Sequence, residues 1–158
     1  MMGTASGGVI HSPWIGDVEW DSHCELFFPH GLPGFEDHRR MIPVEIPAQR
    51  PLVYLQSADR AEVCFVCLPV LAIDPRFRLE LSDEESAALL LPPNCTPEIG
   101  VDVLCLGLLM PSGETVLANL RAPIVVNLHN ARGVQCIPGG KSRSSFRLGE
   151  SGSWEPVC

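Results

Sequence analysis

Apolar positions along this chain fall into short runs with a period near two, broken repeatedly by glycine, proline and small polar residues. That pattern predicts short strands joined by turns. Residues 14–20 (Trp-Ile-Gly-Asp-Val-Glu-Trp) alternate and read as a first strand, and 24–28 (Cys-Glu-Leu-Phe-Phe) as a second. Residues 41–46 form a weak strand ended by Pro47. Stronger strands at 52–56 and 63–68 are joined through Ser57-Ala58-Asp59-Arg60, a hairpin-like connection. Residues 70–73 lead through Asp74-Pro75 to 77–81. The run 101–110 is too continuously apolar for a surface strand, and after the Pro111-Ser112-Gly113-Glu114 turn residues 115–117 begin the return. A last strand is expected at 134–137.

The segment 118–127 (Ala-Asn-Leu-Arg-Ala-Pro-Ile-Val-Val-Asn) organises this pattern. Its β-branched run Ile124-Val125-Val126 suits a buried strand. Pro123 has no N–H for a ladder and belongs at a strand start or an edge. Asn119 and Asn127 bracket the run, and their amides are suited to closing turns onto nearby backbone.

One helix is signalled, over about residues 82–91. Ser82 and Glu85 are spaced as a capping box, Asp83, Glu84 and Glu85 place carboxylates at the positive end of the helix dipole, and Pro92-Pro93 stops it. No crossover helices separate the strands, so parallel βαβ units are excluded and an antiparallel all-β sandwich or partly closed barrel is expected. Domain limits follow: a Gly/Ser/Thr-rich flexible leader over 1–13, one β domain over 14–137, and a disordered Gly/Ser/Arg tail over 138–158.

Composition narrows the chemistry. The chain has 158 residues, 15 prolines, 14 glycines and a net charge of −8. Residues 1–137 hold 8 Arg against 17 Asp+Glu, a balance of −9, whereas 138–158 carry Lys141, Arg143 and Arg147 against Glu150 and Glu155, a balance of +1. So acidic a domain is repelled by a phosphate backbone, which argues against direct nucleic-acid binding and allows a basic protein partner. Seven cysteines, an odd number scattered largely within apolar runs, indicate free thiols in a reducing compartment. Residues 1–10 lack the basic and apolar regions of a secretory signal, and the run 103–110 is far short of the roughly 20 residues of a membrane span. A soluble, cytoplasmic protein with no membrane association is expected.

Catalytic and metal signatures are weak. Cys64 and Cys67 are spaced Cys-x-x-Cys, but on a strand residues three apart face opposite sides and do not grip one ion. The histidines at 11, 23, 30, 38 and 129 form no ligand pair, and no nucleophile elbow or phosphate-cradling loop is present. No metal, no cofactor and no enzyme activity is expected, with a small cysteine-dependent enzyme as the remote alternative. Two features suit protein binding. The loop Pro29-His30-Gly31-Leu32-Pro33-Gly34-Phe35 has a backbone constrained by glycine and proline and carries two large apolar side chains, Leu32 and Phe35. The acidic helix start Asp83-Glu84-Glu85 offers a docking site for a basic partner.

Three segments carry a family resemblance. Phe28-Pro29-His30-Gly31-Leu32-Pro33-Gly34-Phe35, Leu52-Val53-Tyr54-Leu55-Gln56-Ser57 and Ala118-Asn119-Leu120-Arg121-Ala122-Pro123-Ile124-Val125-Val126-Asn127 resemble, in order and spacing, the signatures of the flagellar assembly factor FliW family. Trp14-Ile15-Gly16, Leu79-Glu80-Leu81-Ser82 and Gln135 fit the same pattern. The resemblance implies a single-domain, antiparallel β-barrel-like fold and a monomeric, cytoplasmic, non-enzymatic regulator. It further implies binding and antagonism of the translational repressor CsrA, relief of flagellin translation, and binding of flagellin as a chaperone in a partner switch. A flagellin chaperone without CsrA antagonism is the alternative. Leu32, Phe35, Gln56, Asp83, Glu84, Glu85, Asn119, Pro123 and Asn127 are the candidate partner-binding residues. The chain departs from the family at its end, where Pro138-Gly139-Gly140 and a Ser/Arg-rich stretch replace a short aromatic and basic segment, with Phe146-Arg147-Leu148 as its remnant.

Overall fold

Most of the predicted strand runs find a neighbour, and seven of the strands close into a ring. The structure, a computed structural model, describes residues 7–137 and 145–157. Seven strands form a closed barrel: β3 (Leu26–Phe27), β4 (Arg40–Val44), β5 (Val53–Ser57), β6 (Cys64–Pro69), β7 (Val103–Ser112), β8 (Thr115–Asn127) and β9 (Arg132–Gln135). Consecutive strands pair antiparallel from β3 through β9, and the ring closes where β3 meets β9 in parallel, Phe27 opposite Arg132. A ring with an odd number of strands cannot alternate direction throughout, so one parallel junction is unavoidable. The Arg132 guanidinium reinforces it, stacked 5.5 Å above the Phe27 ring.

β8 is the strand that the sequence prescribed in pieces. Leu106 faces Ile124 but Leu108 faces Asn119, so Gly107 stands opposite residues 120–123 in a wide bulge. Asn119 Oδ1 accepts the N–H groups of Arg121 and Ala122, turning the chain there. Pro123, which has no N–H to donate, lies inside the bulge, and its carbonyl accepts the N–H of Cys136. The expected turn and strand start are therefore a single bent strand. Its first arm pairs with the end of β7, and its second, Ile124–Asn127, pairs with both β7 and β9.

The second arm is buried on both faces. Leu106, Ile124 and Val126 pack with Leu26, Phe28, Leu32, Met41, Leu55 and Cys67 inside the barrel. Val103, Cys105 and Val125 point the other way and join Val70, Ile73, Phe77, Leu89 and Val134 in an outer core. Helix α1 (Val70–Ile73), residues 77–81 and helix α2 (Asp83–Ala88) cover that outer face. A strand between two apolar layers has no use for polar spacing, which explains the continuous hydrophobicity of β7 and β8.

Several expectations change. Residues 70–73 form a turn of helix rather than extended chain, because Val70 and Ile73 at helical spacing both reach the outer core while Leu71 stays exposed. Residues 77–81 form no ladder. α2 has the predicted capping box but ends at Ala88, short of 91. Part of the expected leader is strand: β1 (Gly8–Ser12) pairs with β2 (Gly16–Trp20), since Ser12 Oγ accepts the N–H groups of Trp14 and Ile15 and closes the turn. Part of the expected tail is strand too. β10 (Ser145–Leu148) pairs with Leu117–Asn119 of β8 and with β11 (Trp154–Val157), and Phe146 and Trp154 pack on the outer core. The readings of residues 1–6, 138–144 and 158 lie outside the described residues.

Two polar contacts tie the layers together. Asn127, buried, donates Nδ2–H to the Leu89 carbonyl at 2.9 Å and accepts the His129 N–H on Oδ1, fastening the end of α2 to β8. Glu25 bonds the Arg40 guanidinium at 2.7 Å and the Trp20 indole N–H at 3.1 Å, joining the β1–β2 hairpin to the barrel. The Arg40 hydrogen bond, aided by that from Trp20, holds the Glu25 carboxyl below its ordinary range.

Three outcomes follow from this packing. Gly133→Ala places a Cβ 2.6 Å from the Phe28 ring, so the variant is expected to lose about 1–3 kcal/mol in urea unfolding. Asn127→Ala removes the acceptor of the His129 N–H and leaves the Leu89 carbonyl to Asn130, and is expected to cost about 1–2 kcal/mol by the same assay. Arg40→Ala costs under about 1 kcal/mol at pH 7, because Arg40 is half exposed. Glu25 has a lowered pKa, so its contribution is complete above its ordinary value of 4.5 and is lost as the pH falls through the lowered one. The Arg40→Ala penalty is expected to shrink in urea titrations stepped down from pH 7 through that range.

Candidate functional site

The loop between β3 and β4 and the start of α2 are separated by some fifty residues of sequence, yet they face each other across one cleft. The loop is built by local hydrogen bonds. Gly31 N–H donates to the Phe28 carbonyl, Phe35 N–H to Leu32, His38 N–H to Phe35, and Gly34 N–H to the Glu36 carboxylate at 2.7 Å. Gly31 has φ +62°, and a Cβ there would lie 2.6 Å from the Glu36 backbone, so only glycine fits this turn.

The two apolar residues of the loop diverge. Leu32 is 3 % exposed and plugs the barrel interior beside Phe28 and Met41. Phe35 is 38 % exposed and lies edge-on against Phe65 of β6, with ring centroids 5.1 Å apart, and near His38.

Opposite the loop, the first turn of α2 presents Glu84 and Glu85, with Asp83 exposed beside them. Glu85 is held on both oxygens. One accepts the Ser82 N–H in the capping box, and the other accepts the Ile137 N–H at 2.8 Å, which tethers the end of the β9 segment to the helix. The space between holds about 310 Å³ and is lined by His30, Gly31, Pro33, Glu36, Glu84, Glu85, Ala88, Val134, Gln135 and Ile137. Its floor is apolar, its rim carries three carboxylates and no lysine or arginine, and Ile137 stands 75 % exposed beside it. Such a surface fits a partner segment with cationic and apolar side chains together.

The remaining sequence candidates lie deeper. Gln56 is fully buried and its Nε2 points at the carbonyls of Ser57, Arg60, Ala61 and Val63, at 3.1–3.2 Å, which stiffens the β5–β6 turn. Pro123 and Asn127 are buried and Asn119 is half-buried, and all three shape or anchor β8. The fold thus brings the loop and the acidic helix start together at the surface, while Gln56, Asn119, Pro123, Asn127 and Leu32 form the scaffold behind them. Sequence reasoning missed His30, Glu36, Ala88, Val134 and Ile137 as cleft residues. Glu36 was the findable one, as an acid directly following the constrained loop.

Of the Cys-x-x-Cys thiols, Cys67 is buried in the barrel and Cys64 is half-buried beside it. Burial pushes Cys64 up to about 11, and Cys67, within the barrel core, higher still. Both are therefore protonated at neutral pH and poor nucleophiles. Among the described residues no group of three or more His, Cys, Asp or Glu is placed to hold a metal ion, and no helix is long and apolar enough to cross a membrane.

Comparison with known proteins converges on one family. A family model described as FliW protein matches residues 9–147. The flagellar assembly factor FliW of Azoarcus sp. (strain BH72) is 34% identical over 128 residues, covering 80% of this chain and 88% of the relative. That of Caldicellulosiruptor bescii is 29% identical over 127 residues, covering 80% of each chain. The crystal structure of a flagellar assembly factor FliW superposes with a TM-score of 0.74 at 26% identity, covering 85% of this chain and 91% of that one. The matched region includes both segments that form the cleft and all but the last residue of β10, and this chain belongs to the FliW family of flagellar assembly factors.

Proposed function

We propose that this protein binds and antagonises the translational repressor CsrA, so relieving repression of flagellin translation, and that it also binds flagellin as a chaperone, the two partners exchanging on it. It acts in the cytoplasm as a single copy, without enzymatic chemistry and without touching nucleic acid itself. The observation that carries the reading is the carboxylate-rimmed apolar cleft between the β3–β4 loop and α2, set in a body whose residues 1–137 balance at −9. An RNA-binding protein must present cationic surface, and a cleft of this kind is complementary to it. Once seated, the acidic domain also brings negative charge close to where RNA approaches, which opposes RNA rebinding through a field that salt screens.

The switch then needs only mass action. Whichever partner binds this protein more tightly at its prevailing free concentration holds it, and accumulation of flagellin releases CsrA. The Glu84 carboxylate forms no hydrogen bond or ion pair with another described residue, so its charge is available to a partner.

Calorimetric titration with CsrA from the same organism, repeated after saturation with flagellin, tests the exchange. Binding is expected with the protein alone and is expected to disappear with flagellin present. Flagellin binding without CsrA binding would reduce the protein to a flagellin chaperone, and binding of neither would overturn the proposal. Glu84→Lys is expected to keep the fold and weaken CsrA about tenfold at low salt, mainly through slower association, with the difference narrowing in 0.5 M salt.

A further inference from the structure

The exposed apolar residue of the loop–helix cleft, Ile137, comes from a different segment than the three carboxylates of its rim. The β9 ladder stops at Gln135, opposite Ile124. The next N–H, that of Cys136, reaches the Pro123 carbonyl, and the Cys136 side chain is buried in the outer core. Ile137 follows with its side chain turned out, 75 % exposed, so burial does not hold it at the cleft. A hydrogen bond does. Its N–H donates to Glu85 Oε2 at 2.8 Å, across 52 residues of sequence.

The rim carboxylates are not equivalent. Glu84 makes no bond within the chain, and Glu36 turns one oxygen to the Gly34 N–H at 2.7 Å. Glu85 commits both oxygens to backbone: Oε1 accepts the Ser82 N–H at 2.9 Å, and Oε2 accepts that of Ile137. A capping box needs only the first of these bonds. The second is non-local, and an N–H bond to a carboxylate is stronger than one to a neutral acceptor. The helix that carries Glu85 is fixed at its far end, where Asn127 and Asn130 both donate to the Leu89 carbonyl, so the bond to Ile137 starts from an anchored element.

We propose that Glu85 is the positioning residue of this cleft, latching Ile137 beside the acidic rim so that acidic and apolar halves are already assembled when a partner arrives. The inference rests on the function proposed above and deepens it by dividing the work of the rim: Glu84 supplies charge to the partner, and Glu85 supplies geometry. An anchor fixed in advance loses no freedom on binding, so releasing the latch weakens binding even where charge no longer counts. Glutamine separates the two roles, because its side chain has one acceptor oxygen and an amide nitrogen that only donates. A capping box accepts glutamine at this position, so the oxygen stays with Ser82 and the NH₂ faces the Ile137 N–H, donor against donor. Glu85→Gln keeps the cap and opens the latch, whereas Glu84→Gln removes the same charge and leaves the latch closed.

The test uses the full chain, with amide hydrogen exchange followed by ¹⁵N NMR and calorimetric titration with CsrA at low salt and in 0.5 M salt. The Ile137 N–H is expected to exchange about tenfold faster in Glu85→Gln and at the parental rate in Glu84→Gln. Both variants are expected to bind CsrA more weakly than the parent at low salt. In 0.5 M salt, which screens exposed charges, Glu84→Gln is expected to match the parent while Glu85→Gln stays about fivefold weaker. The melting midpoint of Glu85→Gln is expected within about 2 °C of the parent's. Three results would each overturn the latch: unchanged Ile137 exchange in Glu85→Gln, equal binding by the two variants in 0.5 M salt, or a midpoint lowered by more than about 5 °C, which would make Glu85 a purely structural residue. A parent that binds no CsrA overturns the function proposed above and with it the role of the latch in binding. A parent that binds, together with any of the three results, overturns the latch alone.

Discussion

The double-sided burial of the second arm of β8 is the constraint on which the rest depends. Ile124, Val125 and Val126 are three consecutive residues with essentially no exposure, and consecutive strand residues face opposite ways. Such a run is stable only if both sides are covered. The barrel interior supplies one cover and the α1–α2 segment the other. The bulge at 119–123 lets one strand serve both arms, bending β8 so that its first arm carries the β10–β11 extension while its second closes the barrel with β9.

From that constraint the position of α2 follows. The helix is short, with no fully buried residue of its own, so propensity does not hold it in place. It is held at its ends, by Glu85 to the Ile137 N–H at one and by Asn127, Asn130 and Arg132 to the Leu89 and Ala88 carbonyls at the other. Docked this way, α2 forms one wall of the loop–helix cleft. The same polar contacts that close the outer core therefore also define that candidate partner surface.

The loop–helix cleft combines an acidic rim with an exposed apolar neighbour, Ile137. Glu36, Glu84 and Glu85 rim the loop–helix cleft, burial keeps the Cys64–Cys67 pair protonated, and the Glu25–Arg40 and Asp102–His129 pairs brace the fold or orient a loop. A surface of this kind is suited to association, in keeping with a family of assembly factors. Steering by charge and anchoring by exposed apolar side chains are the two terms available to it.

What the sequence determined by itself was local. The strand runs at 52–56, 63–68 and 101–110, the capping box at Ser82 and Glu85, the turn-forming role of Asn119 and the exclusion of Pro123 from a regular ladder follow from side-chain shape and hydrogen-bonding capacity, which act over a few residues. Only the tertiary structure decided which of two equivalent-looking apolar residues, Leu32 or Phe35, turned inward, because that depended on the space beside Phe28 and Met41. It decided that Val70 and Ile73 coil instead of extending, and that Gly8–Ser12 and Ser145–Leu148 find strands to pair with, since each answer rests on a distant surface. It brought Glu36 to Glu84, and it forced Leu90 into a glycine's conformation by burying Leu89 and stopping the helix at Ala88. Pattern and composition act along the chain, but a cleft is a relation between segments that share only space.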